Sequence, residues 1–174
     1  MEDRLMLVGV LADTHDRVPA IAEFTQRFVA AGIGLVLHAG DYCSPFALRP
    51  ILKANLALAG VFGRNDGDPE GLAAEASKGM GTEIYESPHS VEVGGTRILL
   101  VYDLADVTDR SIAGHGLVIH GFTHERQMKT VGDTVIVNPG EGCGWLFGTP
   151  SAAIVDLDTK RVEFLSLTGP EWEK

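Results

Sequence analysis

The sequence predicts an α/β protein in which two β-sheets pack face to face between outer helices. The first half of the chain alternates buried strands with helices, which favours a parallel sheet with right-handed crossovers. The second half consists mostly of short strands separated by turns. Because 174 residues without a linker or an internal repeat suit one domain, we expect a single domain over residues 1–174.

The first half supplies three strands and two helices. A continuous apolar run at residues 5–11 indicates a strand covered on both faces. Apolar residues at helical spacing predict a helix over 19–31, which stops at Gly32. A second buried strand over 35–38, a short helix over 45–53 and a third strand over 56–62 complete a β-α-β-α-β series.

The second half begins with a predicted hairpin. Two strands within residues 91–99 are joined by Gly94 and Gly95, a pair typical of a tight hairpin turn. Further strands are predicted over 117–120, 128–131, 134–138, 152–156 and 162–167.

Composition and charge exclude several classes of protein. A hydrophobic fraction of 45% excludes a disordered chain, and no apolar run approaches the ~20 residues of a membrane span. The net charge of −10 lacks the basic footprint of tight nucleic-acid binding. Cys43 and Cys143 make no disulfide framework, and the N-terminus is typical of a strand rather than a signal peptide. We therefore expect a cytoplasmic protein that does not bind membranes.

Polar side chains follow several predicted strands at their carboxyl ends, where ligands bind in open α/β sheets. Taken singly, an Asp after a strand is most often a helix cap, and a His on an apolar strand is most often a core residue. Carboxylate and imidazole brought together suit Mn²⁺, Fe²⁺ or Zn²⁺. Their joint placement favours a metal site built from Asp13-Thr14-His15-Asp16, His38-Ala39-Gly40-Asp41, Gly63-Arg64-Asn65-Asp66 and His120-Gly121-Phe122-Thr123-His124.

These motifs, in this order, resemble those of the calcineurin-like metallophosphoesterases. Within that superfamily the chain is similar to small bacterial and archaeal phosphodiesterases related to the retromer scaffold subunit. The resemblance covers residues 5–167 and includes the turn Asn138-Pro139-Gly140. It implies a four-layer αββα sandwich with two mixed β-sheets, a site for two divalent metals and hydrolysis of a small phosphate ester, most favourably a phosphodiester.

The resemblance assigns metal ligands unevenly. The first metal position is matched by Asp13, His15, Asp41 and His124. The places of the second set of ligands are held by Arg64, Tyr102 and Phe122, and Asn65 is displaced by one residue. We therefore expect one ion rather than two, with manganese favoured over iron, zinc or nickel.

The same comparison suggests roles for the remaining residues. Arg64 is expected to substitute in part for the second cation, either by pairing with Asp41 or by binding phosphate. Asn65 is expected to bind substrate, and Asn65 or Asp66 to orient it or relay a proton. Asp16 and Asp103 are weaker candidates for contacts behind the metal ligands.

Two questions stay open at this stage. The alternative to a weakened phosphoesterase is a catalytically weak or inactive metal-binding scaffold on the same fold. Residues 143–148 form an apolar stretch that either mediates a homo-oligomer or covers the core.

Overall fold

The computed structural model describes residues 6–173 and places two β-sheets between helices. The helices in this range are α1 Val18–Ala30, α2 Arg49–Lys53, α3 Pro69–Ala76 and α4 Asp109–Ala113, with 3₁₀ turns at Pro45–Leu48, Leu104–Asp106 and Pro170–Trp172. The strands are β1 Leu7–Leu11, β2 Leu35–His38, β3 Ala57–Val61, β4 Thr82–Tyr85, β5 His89–Val93, β6 Thr96–Leu100, β7 Leu117–Ile119, β8 Arg126–Val131, β9 Thr134–Pro139, β10 Ser151–Asp156 and β11 Val162–Ser166.

Both sheets are mixed. The six-stranded sheet has the order β11-β10-β1-β2-β3-β4, in which β1 to β4 run parallel and β10 lies antiparallel to β1. The five-stranded sheet has the order β5-β6-β7-β9-β8, with β6, β7 and β9 parallel. The parallel register sets Leu11 beside His38, so β1 and β2 end side by side.

Alternation along the strands divides the core into layers. On β1, Val8 and Val10 face the second sheet, whereas Leu11 faces α1 and packs with Phe24 and Phe28. A third cluster lies on the outer face of the five-stranded sheet, beside Ile112 of α4. These layers confirm the predicted αββα sandwich of two mixed sheets flanked by helices.

Several predicted elements match closely. The strand over 35–38 has the predicted bounds, and the predicted helix over 19–31 occupies Val18–Ala30. The strand predicted from residue 5 begins at Leu7, and residue 5 itself lies outside the described residues. The predicted helix over 45–53 starts with a 3₁₀ turn and becomes α-helical at Arg49.

Two α-helices, one strand and one strand pairing of the described residues were not predicted from the sequence. Helices α3 and α4 and strand β4 have eight residues or fewer, so their periodicity is weak. Strands β10 and β11 come from the late, mostly β part of the chain but join the first sheet beside β1. The single domain over 1–174 stays a prediction, and among the described helices none is long and apolar enough to cross a membrane.

The contact between α1 and β1 gives a stability prediction. The ring of Phe28 lies against Gly9, where an added Cβ would come within 2.7 Å of the ring. Replacing this fully buried ring, Phe28→Ala, should lower the free energy of unfolding by about 3–5 kcal/mol through lost burial and a cavity. The neighbouring Val29→Ala, at a half-exposed position, should change it by less than about 0.5 kcal/mol. Urea denaturation measures both values, and equal effects would contradict this packing.

Candidate metal centre

Loops from distant parts of the chain are joined by backbone hydrogen bonds where β1, β2 and β9 end. The N–H of Asp13 donates to Gly40 O at 3.0 Å, and the N–H of His15 donates to Asp41 O at 3.0 Å. On the other side, the N–H of Cys143 donates to Asp13 O at 3.0 Å. These bonds hold the loop after β1 between the loops after β2 and β9, so side chains from all three converge.

All four predicted metal ligands have left-handed backbone conformations. The φ angles are 48° at Asp13, 37° at His15, 60° at Asp41 and 63° at His124. Side chains other than glycine rarely adopt this region, and each such residue costs free energy that the surrounding fold must supply. Such strain concentrates at functional sites, where it directs several side chains to one point.

Three of these ligands form a tight cluster. One ligand atom from each of Asp13, His15 and His124 lies within 4.8 Å of the others. Asp13 Oδ1 is 3.9 Å from His15 Nε2 and 3.6 Å from His124 Nε2. Gly121 permits this approach, since a Cβ there would lie 2.9 Å from Asp13 Oδ2.

The cluster contains buried polar atoms without partners. Among residues 6–173, neither carboxylate oxygen of Asp13 has a hydrogen-bond partner, and neither has Nε2 of His15. Buried polar atoms in folded proteins are almost always paired, so orphaned atoms at one point require an explanation. Two carboxylate oxygens and an imidazole nitrogen are metal-ligand atoms, and their arrangement fits a divalent cation.

Burial controls the protonation of these groups in the metal-free protein. It raises the pKa of Asp13 to about 7, with a further rise from Asp41 and an opposing effect of His124. Burial also lowers the pKa of His15, although Asp41 opposes this shift. His15 is therefore poised as a neutral imidazole able to bind a cation.

Asp41, the fourth predicted ligand, is held by several donors. Its Oδ2 accepts hydrogen bonds from the Tyr102 hydroxyl at 2.5 Å and from Asn65 Nδ2 at 2.8 Å. Its Oδ1 accepts the Asn65 N–H at 2.8 Å, and its Oδ2 lies 3.3 Å from His15 Nε2. Burial and the bond to Asp41 raise the pKa of Tyr102, so its hydroxyl keeps its proton.

Asp66, one of the residues expected to orient the substrate or relay a proton, accepts backbone hydrogen bonds from two loops. Its Oδ2 accepts the N–H groups of Gly63 at 2.6 Å and Asp41 at 3.1 Å, and its Oδ1 accepts the Cys43 N–H at 2.8 Å. Burial raises the pKa of Asp66, and these donors oppose the rise. The carboxylate ties the loop after β3 to the loop that carries Asp41.

Arg64 does not pair with Asp41, which was one of the two contacts expected for it. Its Nη2 donates to Asp103 Oδ2 at 2.9 Å and lies 3.4 Å from Asp106 Oδ2. The guanidinium lies 4.7 Å from the ring centre of Phe122, whose ring meets that of Tyr102 edge-on at 5.6 Å. Arg64, Phe122 and Tyr102 thus form one stack that ends at Asp41.

The other residues singled out in the sequence have structural contacts. Asp16 accepts the N–H and hydroxyl of Ser44, each at 2.8 Å. His38 is a satisfied core histidine, since Nδ1 accepts the Gly40 N–H and Nε2 contacts the Thr14 hydroxyl. Burial lowers the pKa of His38 to about 3, so it stays neutral.

The sequence analysis assigned no role to Glu141. This carboxylate is 1% exposed and lies 2.7 Å from Nδ1 of His124. Burial opposes its ionisation, but His124 and the N–H groups of Phe147 and Leu146 outweigh burial and lower the pKa of Glu141. In the sequence, the feature that could have indicated a site residue here is an acidic residue directly after the Asn-Pro-Gly turn, at the end of a buried strand.

The apolar loop that follows does not cover the core. Cys143 is buried, whereas the side chains of Trp145, Leu146 and Phe147 are 44%, 65% and 60% exposed. A cavity of about 480 Å³ opens beside this loop, lined by His124, Glu125, Arg126, Glu141, Phe147, Thr149, Ser151 and Ser166. The loop therefore lies at the edge of the site.

A two-sheet sandwich with carboxylate and imidazole groups at its strand ends fits the class of metal-dependent phosphoesterases. A family model described as the calcineurin-like phosphoesterase superfamily domain matches residues 6–160. The chain belongs to this superfamily, as its motifs predicted, and the family implies a divalent metal.

Relatives and solved structures agree with this assignment. A phosphodiesterase of Methanocaldococcus jannaschii is 32% identical over 159 residues, covering 89% of this chain and 95% of the relative. A probable metallophosphoesterase of Methanothermobacter thermautotrophicus is 30% identical over 168 residues, covering 91% and 90%. The structure of an archaeal phosphodiesterase superposes with a TM-score of 0.86 at 30% identity, covering 93% of this chain and all of the other. Zinc-bound Vps29 of Entamoeba histolytica shares the fold, with a TM-score of 0.63 at 20% identity and coverage of 93% and 98%.

The raised pKa of Asp13 predicts a pH-dependent stability in the metal-free protein. Because the pKa of Asp13 is about 7 in the folded chain and 3.8 for an unperturbed aspartate, the folded state retains, between these pH values, a proton that the unfolded state releases. The contribution of protonated Asp13 to the free energy of unfolding is fully present below about pH 4 and is lost as the pH rises through about 7. The wild type, kept metal-free with a chelator, should lose roughly 2–4 kcal/mol of unfolding free energy between about pH 4 and 7 relative to the Asp13→Asn variant. Urea denaturation at several pH values measures the difference, and parallel curves for the two proteins would contradict the prediction.

Proposed function

We propose that this protein is a phosphodiesterase that uses one divalent metal ion, held by Asp13, His15, Asp41 and His124. The observation that carries the proposal is the group of orphaned atoms, both oxygens of Asp13 and Nε2 of His15, facing His124. Manganese is the proposed ion, with iron, zinc or nickel as alternatives, because the ligands mix carboxylate and imidazole. When bound, such an ion lowers the pKa of a coordinated water and polarises a phosphoryl oxygen.

The contacts of Asp41 support one ion rather than two. Oδ2 of Asp41 already accepts hydrogen bonds from Tyr102 and from Asn65 Nδ2, and Oδ1 accepts the Asn65 N–H, so one lone pair on Oδ1 is left for an ion. Phe122 stands where a second metal ion would need an imidazole ligand, and its ring packs against Tyr102. A phenol hydroxyl, an amide N–H and an aromatic ring offer no set of ligands for a second transition metal. We infer that hydrogen bonds take the place of the second ion on Asp41.

Two arginines are the proposed contacts for the substrate. The side chain of Arg64 is 53% exposed, and its guanidinium is held by Asp103 and lies over Phe122. Because this cation is accessible and fixed, we propose that it binds the phosphate from the side of Phe122. Arg126 lines the cavity beside His124 and donates to Leu165 O at 2.9 Å. Among residues 6–173, no carboxylate lies within ion-pair distance of Arg126, which leaves its charge for an anionic part of the substrate. Asn65 is proposed to orient Asp41, since its amide is already bonded there.

The compartment and the partners follow from composition. Both cysteines, Cys43 and Cys143, are free thiols, which supports the cytoplasm as the proposed compartment. The net charge of −10 supports a small phosphate ester over nucleic acid as the substrate.

A scaffold function is the second candidate. The exposed side chains of Trp145, Leu146 and Phe147 favour it, since large apolar groups in one loop are typical of protein interfaces, including those of homo-oligomers. A metal-binding scaffold would bind manganese but hydrolyse no phosphodiester. Turnover assays therefore separate the two functions.

The phosphodiesterase proposal predicts chelator-sensitive turnover. Hydrolysis of bis(p-nitrophenyl) phosphate should require Mn²⁺ and stop when EDTA is added. Asp41→Ala should lower kcat/KM by about 100-fold or more, because it removes a charged group from the proposed metal centre. Asp133→Ala, in the exposed turn between β8 and β9, serves as the matched control and should behave as the wild type. Manganese binding without EDTA-sensitive hydrolysis would favour the scaffold.

The one-ion proposal predicts that a second site can be built. The double variant Tyr102→His with Phe122→His should raise the number of Mn²⁺ ions bound per chain from one to two, because it places imidazoles beside Asp41. The control Tyr102→Phe with Phe122→Leu removes the hydroxyl without adding ligands and should still bind one. Calorimetric titration of Mn²⁺ into protein freed of metal with a chelator measures the number of ions bound per chain. Two ions in the wild type would overturn the proposal.

A further inference from the structure

Glu141 is a buried carboxylate whose contacts all lie at the metal centre or in the adjacent loop. It follows β9 and the Gly140 turn, and only 1% of the residue is exposed. Its Oε2 lies 2.7 Å from His124 Nδ1 and accepts the Leu146 N–H at 3.0 Å. Its Oε1 accepts the Phe147 N–H at 2.7 Å. Each carboxylate oxygen is therefore fixed by at least one donor.

We propose that Glu141 is a positioning residue that holds His124 in its Nδ1–H tautomer and aims the lone pair of Nε2 at Asp13. The proposal rests on the proposed metal site, for which His124 is a ligand. Glu141 contacts Nδ1 of His124, whereas Nε2 of the same ring faces Asp13, so Glu141 acts on the proposed site through His124.

The tautomer follows from the donor and acceptor chemistry of the two groups. Because both carboxylate oxygens of Glu141 accept backbone N–H groups, Glu141 acts as an acceptor, and the 2.7 Å contact requires that Nδ1 of His124 carry the proton. In a neutral imidazole the other nitrogen then has a free lone pair. That nitrogen, Nε2, faces Asp13 Oδ1 at 3.6 Å, so the two groups present acceptor atoms to each other. A cation between them satisfies both.

The second imidazole of the cluster has a weaker partner. Nδ1 of His15 lies 3.4 Å from the Sγ atom of Cys43. A cysteine sulfur is a weak hydrogen-bond partner whether it donates or accepts. It therefore orients a ring less strongly than a carboxylate does. The fixed orientation of the cluster therefore depends more on Glu141 than on Cys43.

The loop after Glu141 connects the two imidazoles. Leu146 and Phe147 donate their N–H groups to Glu141, which holds His124, and Trp145 Nε1 donates to His15 O at 3.3 Å. This loop also lines the cavity proposed for the substrate. Glu141 thus links the position of the loop to the orientation of His124.

The test reads the tautomer directly in the metal-free protein. Long-range ¹H–¹⁵N NMR at about pH 8, where an ordinary histidine is neutral, distinguishes Nδ1–H from Nε2–H. The wild type should show the Nδ1–H form at His124, and Glu141→Ala should lose it. Calorimetry should then show Mn²⁺ affinity about 10–100-fold lower in the variant, the usual effect of removing a group that orients a ligand. Glu23→Gln, which removes an acid paired with Arg27 on α1, should change neither reading.

A near-isosteric variant keeps the test decisive if the alanine variant does not fold. Glu141→Gln keeps the size of the side chain but offers one carbonyl oxygen in place of two, so it should give an intermediate tautomer fraction and affinity. If Glu141→Ala does not fold, this variant decides the matter by the same two readings. An Nε2–H tautomer in the wild type, or unchanged tautomer and affinity in the folded variants, would overturn the proposal. A wild type that binds no Mn²⁺ would instead overturn the proposed function, since the tautomer is measured without metal.

Discussion

The burial of Asp13 without hydrogen-bond donors is the constraint on which the site depends. Removing a carboxylate from water costs several kcal/mol unless other groups compensate. The other buried acids of the site are compensated: Asp41, Asp66 and Glu141 each accept several hydrogen bonds. Asp13 has none among the described residues, and only a cation or a proton can satisfy it. The fold surrounds this one carboxylate with imidazoles, which is the environment that a divalent ion requires.

The backbone shows how such a constraint is sustained. Left-handed conformations at all four proposed ligands would not persist in an isolated loop, because each is unfavourable for a residue with a Cβ. Here the loops after β1, β2 and β9 share hydrogen bonds, and Asp66 accepts three more. Asn138 of β9 donates to Gly121 O and to the Thr123 hydroxyl in the loop that carries His124. The strands beneath, β1, β2 and β9, are buried along almost their whole length, so the loops stand on a closely packed platform. The strain is therefore supported by the sandwich as a whole.

The sequence predicted those parts of the molecule that depend on local pattern. Buried strands such as β2 and the polar groups at their ends are visible as apolar runs followed by acidic and histidine residues. The pairing of Arg64 with Asp103 was not predictable, because it joins residues 39 positions apart on two different loops. The bond between Tyr102 and Asp41 spans 61 positions, and the insertion of β10 beside β1 spans most of the chain. Long-range contacts of this kind depend on how the layers pack, which local patterns do not record.

The stack of Arg64, Phe122 and Tyr102 has an electrostatic consequence for the choice of substrate. The Tyr102 hydroxyl satisfies Asp41 without adding positive charge, and Asp103 and Asp106 balance the charge of Arg64. With the one divalent ion proposed, the carboxylates of Asp13 and Asp41 balance the charge of the metal, so that among residues 6–173 Arg126 is a cation beside the site without a carboxylate partner. A phosphomonoester carries close to two negative charges near neutral pH, whereas a phosphodiester carries one. Since repulsion from the acidic site grows with the charge of the substrate, the proposed single-ion arrangement favours diesters over monoesters.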